Sequence, residues 1–180
     1  MTGRTVYHTA TSLDGFVAAP GDDLGWLLTR DVDPQGPLGI EPFTAGVGAI
    51  LMGGSTYRWL LAHRDATGED VWPYAQPAWV LTSRPDLPRL ADGITFAQGD
   101  VRPVHAAAVA AAAGRDVWVV GGGPVAAQVA EAGLLDEVVV SIAPVTLGAG
   151  APLLPAHVEL RLKEVARNRE FAVARYAVVR

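Results

Sequence analysis

The stretch "VWVVGGGPVAAQVAEAG", residues 117–133, decides the fold. An apolar, β-branched run ends in three glycines, and a proline opens an alanine-rich segment. The order is strand, glycine turn, helix. Pro124 suits the first turn of a helix, where its missing N–H costs nothing. Glycines let the backbone approach a ligand, and free N–H groups at a helix start face an anion. A phosphate is the natural guest, although a tight strand–helix turn uses the same glycines with no ligand. Gly121, Gly123 and Ala126 also satisfy the dinucleotide pattern G-x-G-x-x-G/A. That fingerprint expects an acid near the end of the next strand, whereas Asp136 and Glu137 begin theirs. Several strand–helix units also precede the motif. Both facts count against a Rossmann-type site.

The alternation continues on both sides. Strands are expected at 5–11, 48–52, 78–82, 94–97, 116–120 and 137–143. Helices are expected at 24–30, 41–46, from Ser55 as the cap of "STYRWLLAH", at 103–113, and from Pro124 to about Ala132. "APVTLGAGAPLLP" reads as a loop. Residues 160–167 and 171–180 alternate and read as an antiparallel hairpin turned at 168–170. The pattern predicts an α/β fold with a mostly parallel central sheet and an antiparallel edge.

The chain has 180 residues, without internal repeat or linker, so a single domain over 1–180 is expected. Half the residues are hydrophobic and 18% are charged, enough for a sizeable core. A net charge of −5 argues against a nucleic-acid partner. Lys163 is the sole lysine, and the arginines that replace it suit phosphate or carboxylate recognition. With no cysteine, disulfides and thiolate metal sites are excluded, and no histidine spacing signals a metal. The first residues contain no apolar core of a signal peptide. The longest uncharged run, 138–156, is broken by prolines and glycines, so no membrane span is expected. A cytoplasmic location is the expectation.

Open α/β sheets bind ligands beyond the carboxyl ends of their strands. Three such ends carry suitable chemistry: Gly53-Gly54-Ser55-Thr56, Thr82-Ser83-Arg84, and Gly121-Gly122-Gly123 followed by Pro124 and Val125. Together they make a phosphate-rich cofactor site, with Arg84 pairing with a 2′-phosphate and favouring NADPH.

Four segments in order, "TSLDGFVA", "ILMGGSTY", "WVLTSR" and "VWVVGGGPVAAQVAEAGLLDEVVVSIAPVTLGAGAPLLP", resemble the dihydrofolate-reductase-like superfamily. The similarity is greatest to the reductase domain of the riboflavin-pathway deaminase-reductase and its stand-alone relatives. It implies a three-layer fold with helices on both sheet faces, NADPH as cofactor, and a homodimer. It further implies that the strand-end glycines and hydroxyls contact the cofactor phosphates, with Gly54 standing where the family has an arginine. Arg84 or Arg58 is left to compensate. Thr9 and Ala10 would line the nicotinamide side. Asp14-Gly15 would begin a loop that closes over the nicotinamide and ends near Trp26, a substrate-side residue.

Hydride transfer needs a proton for the developing charge. Asp31 stands five residues beyond Trp26, the spacing the resemblance implies for a catalytic carboxylate. Asp14 is the second candidate, though Asp-Gly is first a turn signal. Tyr57, Trp59, Trp72 and Trp79 would form either a stacking wall for a heterocycle or core. The function implied is NADPH-dependent reduction of a small heterocyclic substrate, a ribosylamino-pyrimidine or a dihydropterin. The alternative is a non-catalytic nucleotide-binding protein that kept the fold.

Overall fold

The computed structural model describes residues 3–67 and 72–180. In chain order the elements are β1 (Thr5–Thr11), β2 (Phe16–Ala18), α1 (Gly25–Leu28), α2 (Ile40–Thr44), β3 (Val47–Gly53), α3 (Gly54–Thr67), β4 (Ala78–Leu81) and β5 (Ile94–Ala97). They continue with α4 (Val101–Ala112), β6 (Asp116–Gly121), α5 (Gly123–Glu131), β7 (Glu137–Ile142), β8 (Ala151–Pro152), β9 (Leu160–Asn168) and β10 (Phe171–Val178). The main sheet has the order β5-β4-β3-β6-β1-β7-β10-β9. Its first six strands are parallel. The last two, a hairpin, join antiparallel to β7.

Burial explains the strand spelling. All seven residues of β3 are buried, so they read as a continuous apolar run with no polar face. On one face, α4 and α5 pack Val101, Val104, Ala108, Val125 and Val129 against Tyr7, Leu51, Val119 and Val140. On the other, α3 packs Tyr57 and Leu60 over Ile50, Met52, Val80 and Trp118. A smaller cluster of Ala143, Phe171 and Val173 meets Trp26, Leu27 and Leu38 beyond it.

Four local readings change. The helix after β3 starts at Gly54, so Ser55 sits in its first turn and does not cap it. α4 begins at Val101, because the Asp100 side chain accepts from the Arg102 amide. β2 and β8 form a two-stranded ribbon within segments read as loops. Both are too short to show periodicity. Tyr57, read as either substrate wall or core, is fully buried: its hydroxyl donates to the Pro88 carbonyl and accepts from the Leu90 amide. It is core.

Candidate active site

The carboxyl ends of β1, β3, β4 and β6 open into one cleft with two compartments that share Ser55 and Gly122. The first, about 340 Å³, is lined by Gly53, Gly54, Ser55, Thr82, Ser83, Gly122, Pro124 and Val125, all expected from the sequence. Gln98 and Gln128 add amide groups that sequence reasoning missed. No carboxylate lines this compartment among the described residues. The N-termini of α3 and α5 both open there. These are the features a chain of phosphates requires: small residues, hydroxyl and amide donors, helix starts and no competing negative charge. A Cβ on Gly122 would meet only the Pro124 ring at 3.7 Å, so the space above that glycine is open. The residues therefore fit a dinucleotide.

Gly54 has a reason to be glycine. An added Cβ would lie 2.8 Å from Thr82 Oγ1 and 3.0 Å from Thr82 Cβ. Thr82 is buried, and its Oγ1 accepts from the Arg84 amide at 3.0 Å. No larger side chain fits without displacing that turn. The guanidinium of Arg58, one helical turn on, comes within 3.5 Å of the same point, and its Nη2 donates to Ser55 Oγ at 3.0 Å. Positive charge thus reaches the Gly54 corner from α3. Arg84 itself is exposed, next in chain to the lining residue Ser83.

The second compartment, about 240 Å³, lies over the ends of β1 and β6. Thr9, Ala10, Thr56, Gly121 and Gly122 form its floor, and Trp59 and Tyr74 stand on the α3 side. The peptide between Gly121 and Gly122 is cis. Of the four aromatics considered from sequence, only Trp59 lines the cleft; Trp72 packs with Tyr57 and Trp79 joins the core. Tyr74 was not foreseen, because it lies in an irregular segment with no period to place it. Burial raises its hydroxyl to about 12, so it stays a neutral phenol. Tyr7 donates to the Leu153 carbonyl, which ties β1 to the segment after β8.

The candidate acids do not meet here. Asp31 is exposed at the β9–β10 turn, where its amide donates to Glu170 Oε2 at 3.0 Å, and it lines neither compartment. Asp14 is exposed and accepts from Ser12 Oγ at 2.6 Å, from the Leu147 amide at 3.0 Å and from the Gly148 amide at 2.7 Å. Those bonds, led by Ser12, hold its carboxyl down at about 2. Asp14 is a clamp that fastens the loop's base to the 143–154 segment. Asp14 lines neither compartment. Trp26 sits beside the cleft, not in it, packed in the Phe171 cluster.

The carboxylate that does line the second compartment is Asp22. It belongs to the "PGDD" turn, where Ala19 and Asp23 form a bridge and Gly21 and Asp22 have φ of 83° and 61°. Left-handed backbone at a non-glycine residue is uncommon and concentrates at functional sites. The signal was present in the sequence, since Pro-Gly-Asp is a turn, but a turn signal does not say which way its side chain faces.

The family model described as the RibD C-terminal domain matches residues 5–170. An uncharacterized Bacillus subtilis (strain 168) protein, YwjB, is 29% identical over 167 residues, 91% of each chain. A solved putative riboflavin biosynthesis protein from Shewanella sp. PV-4 superposes with a TM-score of 0.78 at 23% identity, covering 98% of this chain and 99% of the other. Dihydrofolate reductase from Enterococcus faecalis, complexed with NADP(H), superposes at 0.63 and 16% identity, covering 99% and 98%. The fold is dihydrofolate-reductase-like.

Proposed function

The chain belongs to the RibD C-terminal domain family, and from that premise we propose that it is an NADPH-dependent reductase of a small heterocyclic substrate. The observation that carries this reading is the convergence of three glycine- and hydroxyl-bearing strand ends on one compartment that no carboxylate lines among the described residues, with an aromatic compartment adjoining it. Reduced nicotinamide supplies a hydride when bound. Gly53, Ser55, Thr82, Ser83 and Gly122 would hold the phosphates. Thr9, Ala10 and Gly121 would line the nicotinamide. Trp59 and Tyr74 exclude water and stack on a planar ring.

Asp22 offers carboxylate oxygens as hydrogen-bond acceptors. It suits the N–H edge of an aminopyrimidine or pterin and can orient that ring for hydride transfer, while the proton comes through the open mouth of the cleft from water. Asp22→Asn is expected to lower kcat/KM about tenfold or more while leaving NADPH affinity unchanged. Loss of NADPH binding in this variant would show that Asp22 serves the cofactor instead.

The substrate is tested by following NADPH oxidation with a ribosylamino-pyrimidine and with a dihydropterin. Turnover of either supports the reductase. Saturable NADPH binding without turnover of any pterin or pyrimidine supports the non-catalytic nucleotide binder, and absence of binding sinks both. We propose that the protein acts as a homodimer.

A further inference from the structure

The compartment over the ends of β1 and β6 does not stop at Leu27. A cavity of about 290 Å³ continues from it and shares Thr9, Ala10, Leu27 and Val120 with it. Leu38, Trp118 and Phe171 wall the far part. Val32 and Ile40 also line it and are themselves exposed, so it opens between apolar side chains. The two parts together leave room for a ring and a substituent.

Charge in this joined space is sparse and of one sign. Asp22 is the only charged side chain lining either part among the described residues. Its neighbour Asp23, exposed in the same turn, accepts from the Gly25 amide at 2.9 Å. The basic lining group, His8, is 5% exposed, and burial keeps its ring neutral, with a pKa of about 4. Arg30, three residues beyond Leu27, donates from Nε to the Trp26 carbonyl at 3.3 Å and lines neither part. Arg58 stands at the Gly54 corner, with Nη2 on Ser55 Oγ, on the side proposed for the cofactor phosphates. An anion drawn into this space sheds water and meets no lining cation, and it also meets the field of Asp22. An uncharged group has no such cost, and apolar walls with a few placed polar groups suit it.

We propose that the substrate is a heterocycle whose substituent carries neither phosphate nor carboxylate, and that this substituent lies in the cavity beyond Leu27. The inference rests on the reductase reading and adds a substrate class to it: nucleoside-like or alkyl substituents are preferred over nucleotides and acidic pterins. The reduction adds a hydride and a proton across one C=N or C=O bond and oxidises the nicotinamide. The substituent takes no part in that step, so its charge acts through binding, and Asp22 sets the preference.

The test holds the ring constant and changes the substituent's charge. A ribosylamino-pyrimidine and its 5′-phosphate are compared on the full chain, by NADPH oxidation and by calorimetric binding beside the oxidised cofactor. The unphosphorylated form is expected to bind about tenfold or more tightly and to show the higher kcat/KM. The gap should narrow in about 1 M salt, which screens charges a few ångströms apart. Asp22→Asn, a residue that tolerates the φ of 61° at this position, should narrow it without added salt. Equal or tighter binding of the phosphate, with NADPH still oxidised, overturns this inference and leaves the reductase reading standing. Binding of NADPH with neither pyrimidine bound overturns both. Should Asp22→Asn fail to fold, the salt series on the unmodified chain decides.

Discussion

At Gly54, where the resemblance implies an arginine, the cost of any side chain is visible in Thr82. Gly54→Ala places a methyl 2.8 Å from Thr82 Oγ1. We expect a loss of about 1–3 kcal/mol in urea denaturation, as for other overpacked sites. Arg58 brings a guanidinium to that corner. If it faces the pyrophosphate, Arg58→Ala weakens NADPH and NADH alike, by about tenfold for a charge-assisted bond. Arg84→Ala is expected to weaken NADPH alone; unchanged NADPH affinity would remove Arg84 from the 2′-phosphate. Asp14 makes a pH prediction. Its folded pKa, about 2, lies below the ordinary carboxylate value, so its clamp is complete above about pH 4 and fades as pH falls toward 2. The Leu147 and Gly148 amide resonances should titrate together with that midpoint, and in Asp14→Asn they should not. The place of Gly53, Thr82 and Gly122 at the cleft was legible from sequence because each ends an apolar strand run, where open α/β sheets leave their clefts. Asp22 and Tyr74 were not, because a side chain's direction in irregular backbone follows from what packs beneath it.

At the level of elements, the loop between β1 and α1 is less a free lid than a docked one. The Leu13 amide donates to the Val145 carbonyl, β2 pairs with β8, and the Leu153 amide donates to the Gly15 carbonyl. Two glycines make the docking possible. A Cβ on Gly150, at φ 144°, would lie 2.0 Å from the Ala18 carbonyl oxygen, and one on Gly123 would lie 2.1 Å from that of Pro152. Backbone cannot yield as a side-chain tip does. Gly150→Ala is therefore expected to undock the β2–β8 ribbon, seen as faster amide exchange across residues 13–19 and a weaker NADPH complex, with the main sheet intact. Unchanged exchange there would show that the ribbon does not depend on Gly150. The long strands and α4 and α5 were readable because their periods repeat several times. The ribbon was not, since two or three residues define no period and their pairing is set by contacts between segments more than a hundred residues apart.

For the whole molecule, the order of strands and helices identified the architecture because parallel strands need helical crossovers and a final antiparallel hairpin does not. Among the described residues, no helix is long and apolar enough to cross a membrane. Sheet order was not readable: β6 lies between β1 and β3, a long-range choice that no local signal encodes. The β9 edge leaves Leu160, Leu162 and Val165 exposed, and their β10 partners Val178, Tyr176 and Ala174 place them on one face. Exposed apolar rows at a sheet edge are a surface for association. The proposed second copy meets this edge, and Leu162→Glu with Val165→Glu should convert a dimer to a monomer in sedimentation; a dimer that survives both changes uses another face. The central claim is that the strand ends of β3, β4 and β6 form one dinucleotide site, with Trp59 beside its nicotinamide end. Titration of NADPH into the protein, read by tryptophan emission, tests it most directly. The account predicts saturable quenching at one NADPH per chain that is lost when Trp59 is replaced by Phe, although calorimetry still finds the nucleotide bound. Absence of saturable quenching and of calorimetric binding in the unmodified protein would contradict it.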